Sequence, residues 1–102
     1  MAQIVLTDQA FAALDRLAEF LAGSDPAAAF ETYELVSEAI AVLKRHPAIG
    51  RPAGGTLREL VISRGRSGYL ALYDYSEAED TVFILGIRHQ REEGYQEPGP
   101  AP

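Results

Sequence analysis

The sequence contains no cysteine, so it holds no disulfide and no thiolate, and a zinc site would lack its commonest ligands. Its two histidines, His46 and His89, stand 43 positions apart, a poor basis for a metal centre. No apolar run approaches the ~20 residues that a membrane-spanning helix needs. The start, Met1-Ala2-Gln3-Ile4-Val5-Leu6, lacks the basic residues and long apolar stretch of a secretion signal. The expectation is a cytoplasmic protein without membrane contact, metal or cofactor. Basic residues are also scarce. Nine Lys and Arg face 15 Asp and Glu, giving a net charge of −6, and no lysine follows Lys44. That balance argues against a generalist nucleic-acid binder, which holds phosphate with an excess of cations.

Several stock sites are missing too. Gly50-Arg51-Pro52-Ala53-Gly54-Gly55 lacks the lysine and hydroxyl that complete a phosphate-binding loop, so it reads as a turn. Gly65-Arg66-Ser67-Gly68 matches a bare GxxG, but its neighbours make it a hairpin connection. No serine, histidine and acid fall together as a nucleophilic triad.

What is present describes a small α+β domain. A length of 102 residues fits one domain, expected over residues 1–95, with 96–102 a frayed tail around Pro98-Gly99-Pro100. Residues 2–6 read as a first strand. Thr7 is placed as an N-cap with Asp8 in the first turn, and Phe11, Leu14, Leu17 and Leu21 recur at helical spacing. Asp25-Pro26 opens a second helix as cap and first helical residue. Ala29, Tyr33, Val36, Ile40 and Leu43 form its packed seam, and Lys44-Arg45-His46 close it before Pro47. Pro47 to Gly55 is expected to be a loop. Strands are then expected over Leu57 to Ile62, Tyr69 to Tyr75 and Thr81 to Arg88. Tyr69, Ala71, Tyr73 and Tyr75 share one face of the middle strand, Leu70 and Leu72 the other. Gln90 to Tyr95 has the length of one helical turn. The order is β-α-α-β-β-β, a helical hairpin packed on one face of a small, mainly antiparallel sheet of four strands. The other face remains available for a partner.

The cations are unevenly placed. Residues 1–50 carry three basic and seven acidic side chains, whereas residues 51–68 carry Arg51, Arg58, Arg64 and Arg66 against Glu59 alone. Arg88, His89 and Arg91 form a second cluster. RNA cleavage at its own 2′-hydroxyl needs a base, cations for the developing charge and an acid or stacking ring. Arg58, Arg64, Arg66, Arg88, His89, Arg91 and Tyr95 have the side chains for that work. The plainer alternative is that strand-end arginines are solvated or pair with acids such as Glu59.

One ordered set of segments resembles a known family. Leu43-Lys44-Arg45-His46-Pro47-Ala48-Ile49-Gly50-Arg51, Leu57-Arg58-Glu59-Leu60, Gly68-Tyr69-Leu70-Ala71-Leu72-Tyr73 and Val82 to His89 are similar, in order over about residues 3–95, to RelE/ParE toxins of type II toxin–antitoxin (plasmid-stabilisation) systems. The resemblance implies the same β-α-α-β-β-β order, growth inhibition in the cytoplasm and neutralisation by a cognate antitoxin protein. RelE-like members cleave messenger RNA on the ribosome, and ParE-like members poison DNA gyrase without an active site. If this chain is RelE-like, the carried-over catalytic candidates are Arg58, Arg64, Arg88, His89 and Tyr95. The acidic balance and the missing lysines favour gyrase inhibition over the endonuclease. A non-toxic protein-binding module on the same fold is the third reading. On plain alternation Leu85, Ile87 and His89 share one strand face and Arg88 the other, so Arg88 and His89 line one face only if the strand bulges.

Overall fold

The computed structural model describes residues 1–23, 25–64 and 67–90, with the side chains of Leu21, Ser63, Arg64 and Ser67 outside that description. The elements run β1 (Gln3–Leu6), α1 (Asp8–Ala22), α2 (Pro26–Val42), β2 (Arg51–Pro52), β3 (Leu57–Arg64), β4 (Ser67–Ser76) and β5 (Thr81–His89). Local chemistry sets most of these boundaries. The Thr7 hydroxyl accepts from Ala10 N–H (3.3 Å) and donates to Ile84 C=O (2.7 Å), capping α1 and tying it to β5. Asp25 accepts from Ala27 N–H (3.1 Å), with Pro26 at the first helical position. Gly54 and Gly55 take positive φ in the turn between β2 and β3, where Ala53 N–H donates to Leu57 C=O. Asp80 also has positive φ, a conformation that aspartate tolerates better than most residues, and it closes the β4–β5 hairpin.

The sheet has five strands in the order β1-β5-β4-β3-β2. The expected four strands are corrected by Arg51–Pro52, which pairs antiparallel with Glu59 and Arg58 and turns part of the expected loop into an edge strand. Proline fits there because an edge strand has one row of backbone groups without a ladder partner. β1 runs parallel to β5, with Ile4 opposite Val82 and Leu6 opposite Ile84, and the other pairings are antiparallel. β3 and β4 extend beyond the expected limits, to Arg64 and from Ser67. The expected turn at Gln90 to Tyr95 and the tail lie outside the described residues, apart from Gln90 itself.

The helices cover one face. Ala10, Ala13, Leu14, Leu17, Val36, Ile40 and Leu43 pack with Ile62, Tyr69, Ala71, Tyr73, Val82, Ile84 and Ile87 to make the core. Two seam assignments change. Phe11 is 54% exposed and Tyr33 38% exposed, while Ala10, Ala13 and Thr32 take the buried positions. Thr32 reaches its place by donating to Ala28 C=O and by sharing a 3.3 Å hydroxyl contact with Tyr69. Each helix is therefore rotated so that small or hydrogen-bonded residues meet the sheet, and the rings fall at the rim.

Plain alternation fails in β5. Tyr73 is opposite Ile84 but Leu72 is opposite Gly86, so Leu85 is an inserted residue, a bulge. Val82 and Ile84 before the bulge, and Ile87 and His89 after it, therefore share the helix-covered face. Leu85 drops out of the expected alternation with Ile87. Arg88, opposite Leu70, is on the other face.

Val36 and Ile40 are buried as expected. Truncation of Ile40 to alanine is expected to cost about 2–5 kcal/mol, a large share of the ~5–10 kcal/mol typical of such a domain. Thermal unfolding measures it, and an unchanged melting temperature would contradict this packing.

Candidate functional site

The face opposite the helices is built by alternation and register. Residues directly across a ladder share a face. Since Tyr69, Ala71 and Tyr73 are in the core, Leu70, Leu72 and Asp74 occupy the other side. With them stand Leu57, Glu59 and Val61 of β3, Arg51 of β2, Phe83 and Arg88 of β5, and Val5 of β1. Val5 and Val61 are 40% and 48% exposed. Glu59 is the electrostatic centre of this surface. One of its carboxylate oxygens accepts from Arg51 Nε and Nη2 at 3.0 and 2.6 Å. The other lies 3.9 Å from Arg88 Nη2. The Glu59 and Arg88 side chains are only 11% and 17% exposed, so solvent screens this pair less than it would a surface salt bridge.

Arg58 lies elsewhere. It is opposite Tyr73, on the helix-covered face, and donates to Gly50 C=O at 2.8 Å. Tyr73 accepts from Gly50 N–H at 2.8 Å. Both backbone groups of Gly50 are thus held, and a Cβ there would fall 2.7 Å from the Tyr73 ring and 2.9 Å from Glu59 C=O. Glycine is required by close approach, and Arg58 and Tyr73 anchor the loop before β2. Burial raises the Tyr73 phenol above its ordinary pKa of 10.0, against the opposing pull of Gly50 N–H and the nearby Arg58 guanidinium.

The catalytic candidates therefore separate. Arg58 and His89 are both on the helix-covered side, opposite Tyr73 and Tyr69 respectively. Those partners stand four positions apart along β4, about 13 Å at the usual rise. His89 packs edge-on to Tyr69, ring centroids 5.4 Å apart. Arg88 is on the opposite face with Glu59. The Arg64 side chain and the whole of Tyr95 lie outside the described residues. Sequence reasoning named Glu59 only as a possible partner for arginines. Its role as the link between Arg51 and Arg88 depends on β2 existing and on cross-strand register, neither of which has a local signal.

A second feature flanks the sheet. A groove of about 860 Å³ runs between β1 and the helices, lined largely by Met1, Ile4, Leu6, Phe11, Leu14, Tyr33, Val36 and Ile40. Tyr33 donates to Asp15 at 2.9 Å across it. Gln3 and Thr7 N–H point to β5, bonding Asp80 and Ile84 C=O, so those of Ile4 and Leu6 point towards the sheet's outer edge.

Residues 4–94 match the family model described as the ParE toxin of the type II toxin–antitoxin system parDE. The chain is a member of that toxin family. It is 32% identical to Toxin RelE3 of Caulobacter vibrioides over 90% of this chain and 98% of that protein. Its fold is similar, at a TM-score of 0.55 and 24% identity, to a chain in the crystal structure of the toxin–antitoxin complex RelBE2 from Mycobacterium tuberculosis, covering 86% of this chain and 96% of that one. As a ParE/RelE-type toxin the molecule carries the expected helical hairpin on a mixed sheet. Among the described residues, no helix is long and apolar enough to cross a membrane.

The raised Tyr73 pKa has a definite sign. Its stabilising contribution is complete below the unfolded phenol's value of about 10 and is lost as pH rises through the higher folded value. Unfolding free energy should fall more steeply above about pH 10 in the native protein than in Tyr73→Phe. At neutral pH that variant should be about 1–3 kcal/mol less stable, because Gly50 N–H loses its buried acceptor. Denaturant melts of both proteins across the alkaline range test both statements.

Proposed function

We propose that this toxin arrests growth by binding DNA gyrase as a protein target, and that a cognate antitoxin neutralises it. The observation that carries this reading is the separation of Arg58, Arg88 and His89. A cleaving enzyme must bring base and cations onto one reacting phosphate. Here Arg58 holds a loop, His89 packs on Tyr69, and Arg88 faces a carboxylate on the other side of the sheet. The acidic total of −6 also disfavours a ribosome-bound target. The rival reading, a ribosome-dependent messenger RNA endonuclease, draws on the 32% identity to Toxin RelE3. It needs a different set of converging groups.

For the antitoxin, the groove beside β1 offers the best seat. It joins an apolar floor to an outer sheet edge, the two features by which a folding amphipathic segment gains side-chain and main-chain contacts. Asp15, Glu34 and Glu38 stand in or near this region, so the segment should carry basic residues at its margins. Phe11→Asp, at an exposed groove position, should leave the melting temperature nearly unchanged and weaken antitoxin binding at least tenfold. Calorimetric titration measures it, and unchanged affinity would remove the groove as the seat.

Induction of the chain alone should cause DNA damage and filamentation while messenger RNA remains intact at early times. Arg58→Ala and His89→Gln, each folded, should weaken the arrest only partly, because an interface spreads its affinity over many contacts. Losing an essential catalytic group typically costs a hundredfold or more. Prompt cleavage of translated messages, abolished by either substitution alone, would overturn gyrase in favour of the endonuclease.

A further inference from the structure

We propose that the outward side of α2 is a self-association surface, on which a second copy of this chain docks antiparallel about a two-fold axis at Ala41 and Val42. Thr32, Val36 and Ile40 turn one side of α2 into the core. Glu34, Glu38, Ala41 and Val42 recur at helical spacing on the side turned away from it, and all four are exposed. The stripe continues past the end of the helix. Arg45 and His46 N–H both donate to Val42 C=O, at 3.2 and 3.0 Å. The chain thus keeps a tight helical turn in which residues three apart eclipse, and exposed Arg45 follows Val42.

The charges of this stripe find no use within the chain. Glu38 and Arg45 are seven positions apart, about 10 Å along a helix, beyond the spacing of three or four at which side chains meet. Neither takes part in an ion pair among the described residues. Their arrangement is self-complementary instead. An isologous contact sets each residue opposite another at equal distance across the axis. With the axis between Ala41 and Val42, Glu38 of each copy falls opposite Arg45 of the other, and Ala41 opposite Val42. Ala41 is small enough for the helices to approach closely, and Val42, 42% exposed, supplies apolar contact. The two ion pairs fix the register and disfavour a parallel arrangement, which would set Glu38 against Glu38. One helix on one helix buries less than the roughly 1,200 Å² of a standard interface, so the dimer is weak and reversible.

Sedimentation velocity of the purified full chain tests this, without an antitoxin because Ala41 also lines the groove beside β1. Monomer should give way to dimer as the concentration rises through the micromolar range. The dimer should weaken several-fold between about 0.1 and 1 M KCl, as the screening length falls from about 10 to 3 Å. Glu38→Lys and Arg45→Glu should each weaken association about tenfold or more, since each sets like charges against one another twice. Mixed in equal amounts, these two variants should associate about as well as the native chain, because every charge then faces its opposite. The doubly reversed chain should do the same alone. Should a reversal fail to fold, Val42→Lys places like charges at the axis with a cation suited to a helix C-terminus, and carries the same expected loss. A chain that stays monomeric throughout, reversals that leave association unchanged, or a mixture no better than its components would overturn the proposal. The measurement involves neither gyrase nor the ribosome, so its outcome is independent of the gyrase reading.

Discussion

Leu85 is the residue that β4 does not match, and the sidedness of the C-terminal strand depends on it. A strand shows alternate side chains to alternate faces, so one inserted residue exchanges the faces of everything beyond it. Without the bulge, Ile87 would leave the core that Val82 and Ile84 have entered. With it, all three are buried and β5 can serve α1, β1 and β4 together. The same insertion sends Arg88 to the open face and His89 against Tyr69. Packing and the placement of the basic cluster are thus one geometric event.

The two sides of the sheet then acquire different work. On the covered side, Tyr69 and Tyr73 carry hydroxyls into the core, and each finds a partner, Thr32 in one case and Gly50 in the other. A buried hydroxyl without a partner would cost more than the ring's burial comfortably offsets. Tyr73 and Arg58 convert that requirement into an anchor for the loop preceding β2. On the open side, β2 brings Arg51 beside Glu59, and Glu59 links it to Arg88. Among the described residues this face carries Arg51 and Arg88 against Glu59 and Asp74, with Val5 and Val61 exposed, on a strongly acidic protein. Such a surface suits a protein partner better than a polyanion.

The helical hairpin shows how competing demands are resolved. The buried side of α1 is largely alanine, with Leu14 and Leu17, and Phe11 is left at the groove beside β1. A face that simply buried its largest residues would have closed the groove. Leaving aromatic rings at its rim carries some exposed apolar area, which is the usual mark of a surface with a partner.

Much of the molecule is legible in the residues alone. Element order, the Thr7 and Asp25 caps, the glycine turn at 54–55, the hairpin at 76–80 and the burial of Val36 and Ile40 follow from periodicity, capping chemistry and turn preference. All of these act within a few residues. The ordered family segments add the toxin class for the same reason, because they are local strings. Tertiary structure decided the rest. The pairing of β1 parallel to β5, the conversion of Arg51–Pro52 into an edge strand, the bulge at Leu85 and the exposure of Phe11 each depend on residues far away in sequence. Arg58, Arg88 and His89 look like one basic constellation in the chain. They become a loop anchor, half of an ion cluster and a ring contact, because sheet register, which no short segment encodes, determines the face and position of each.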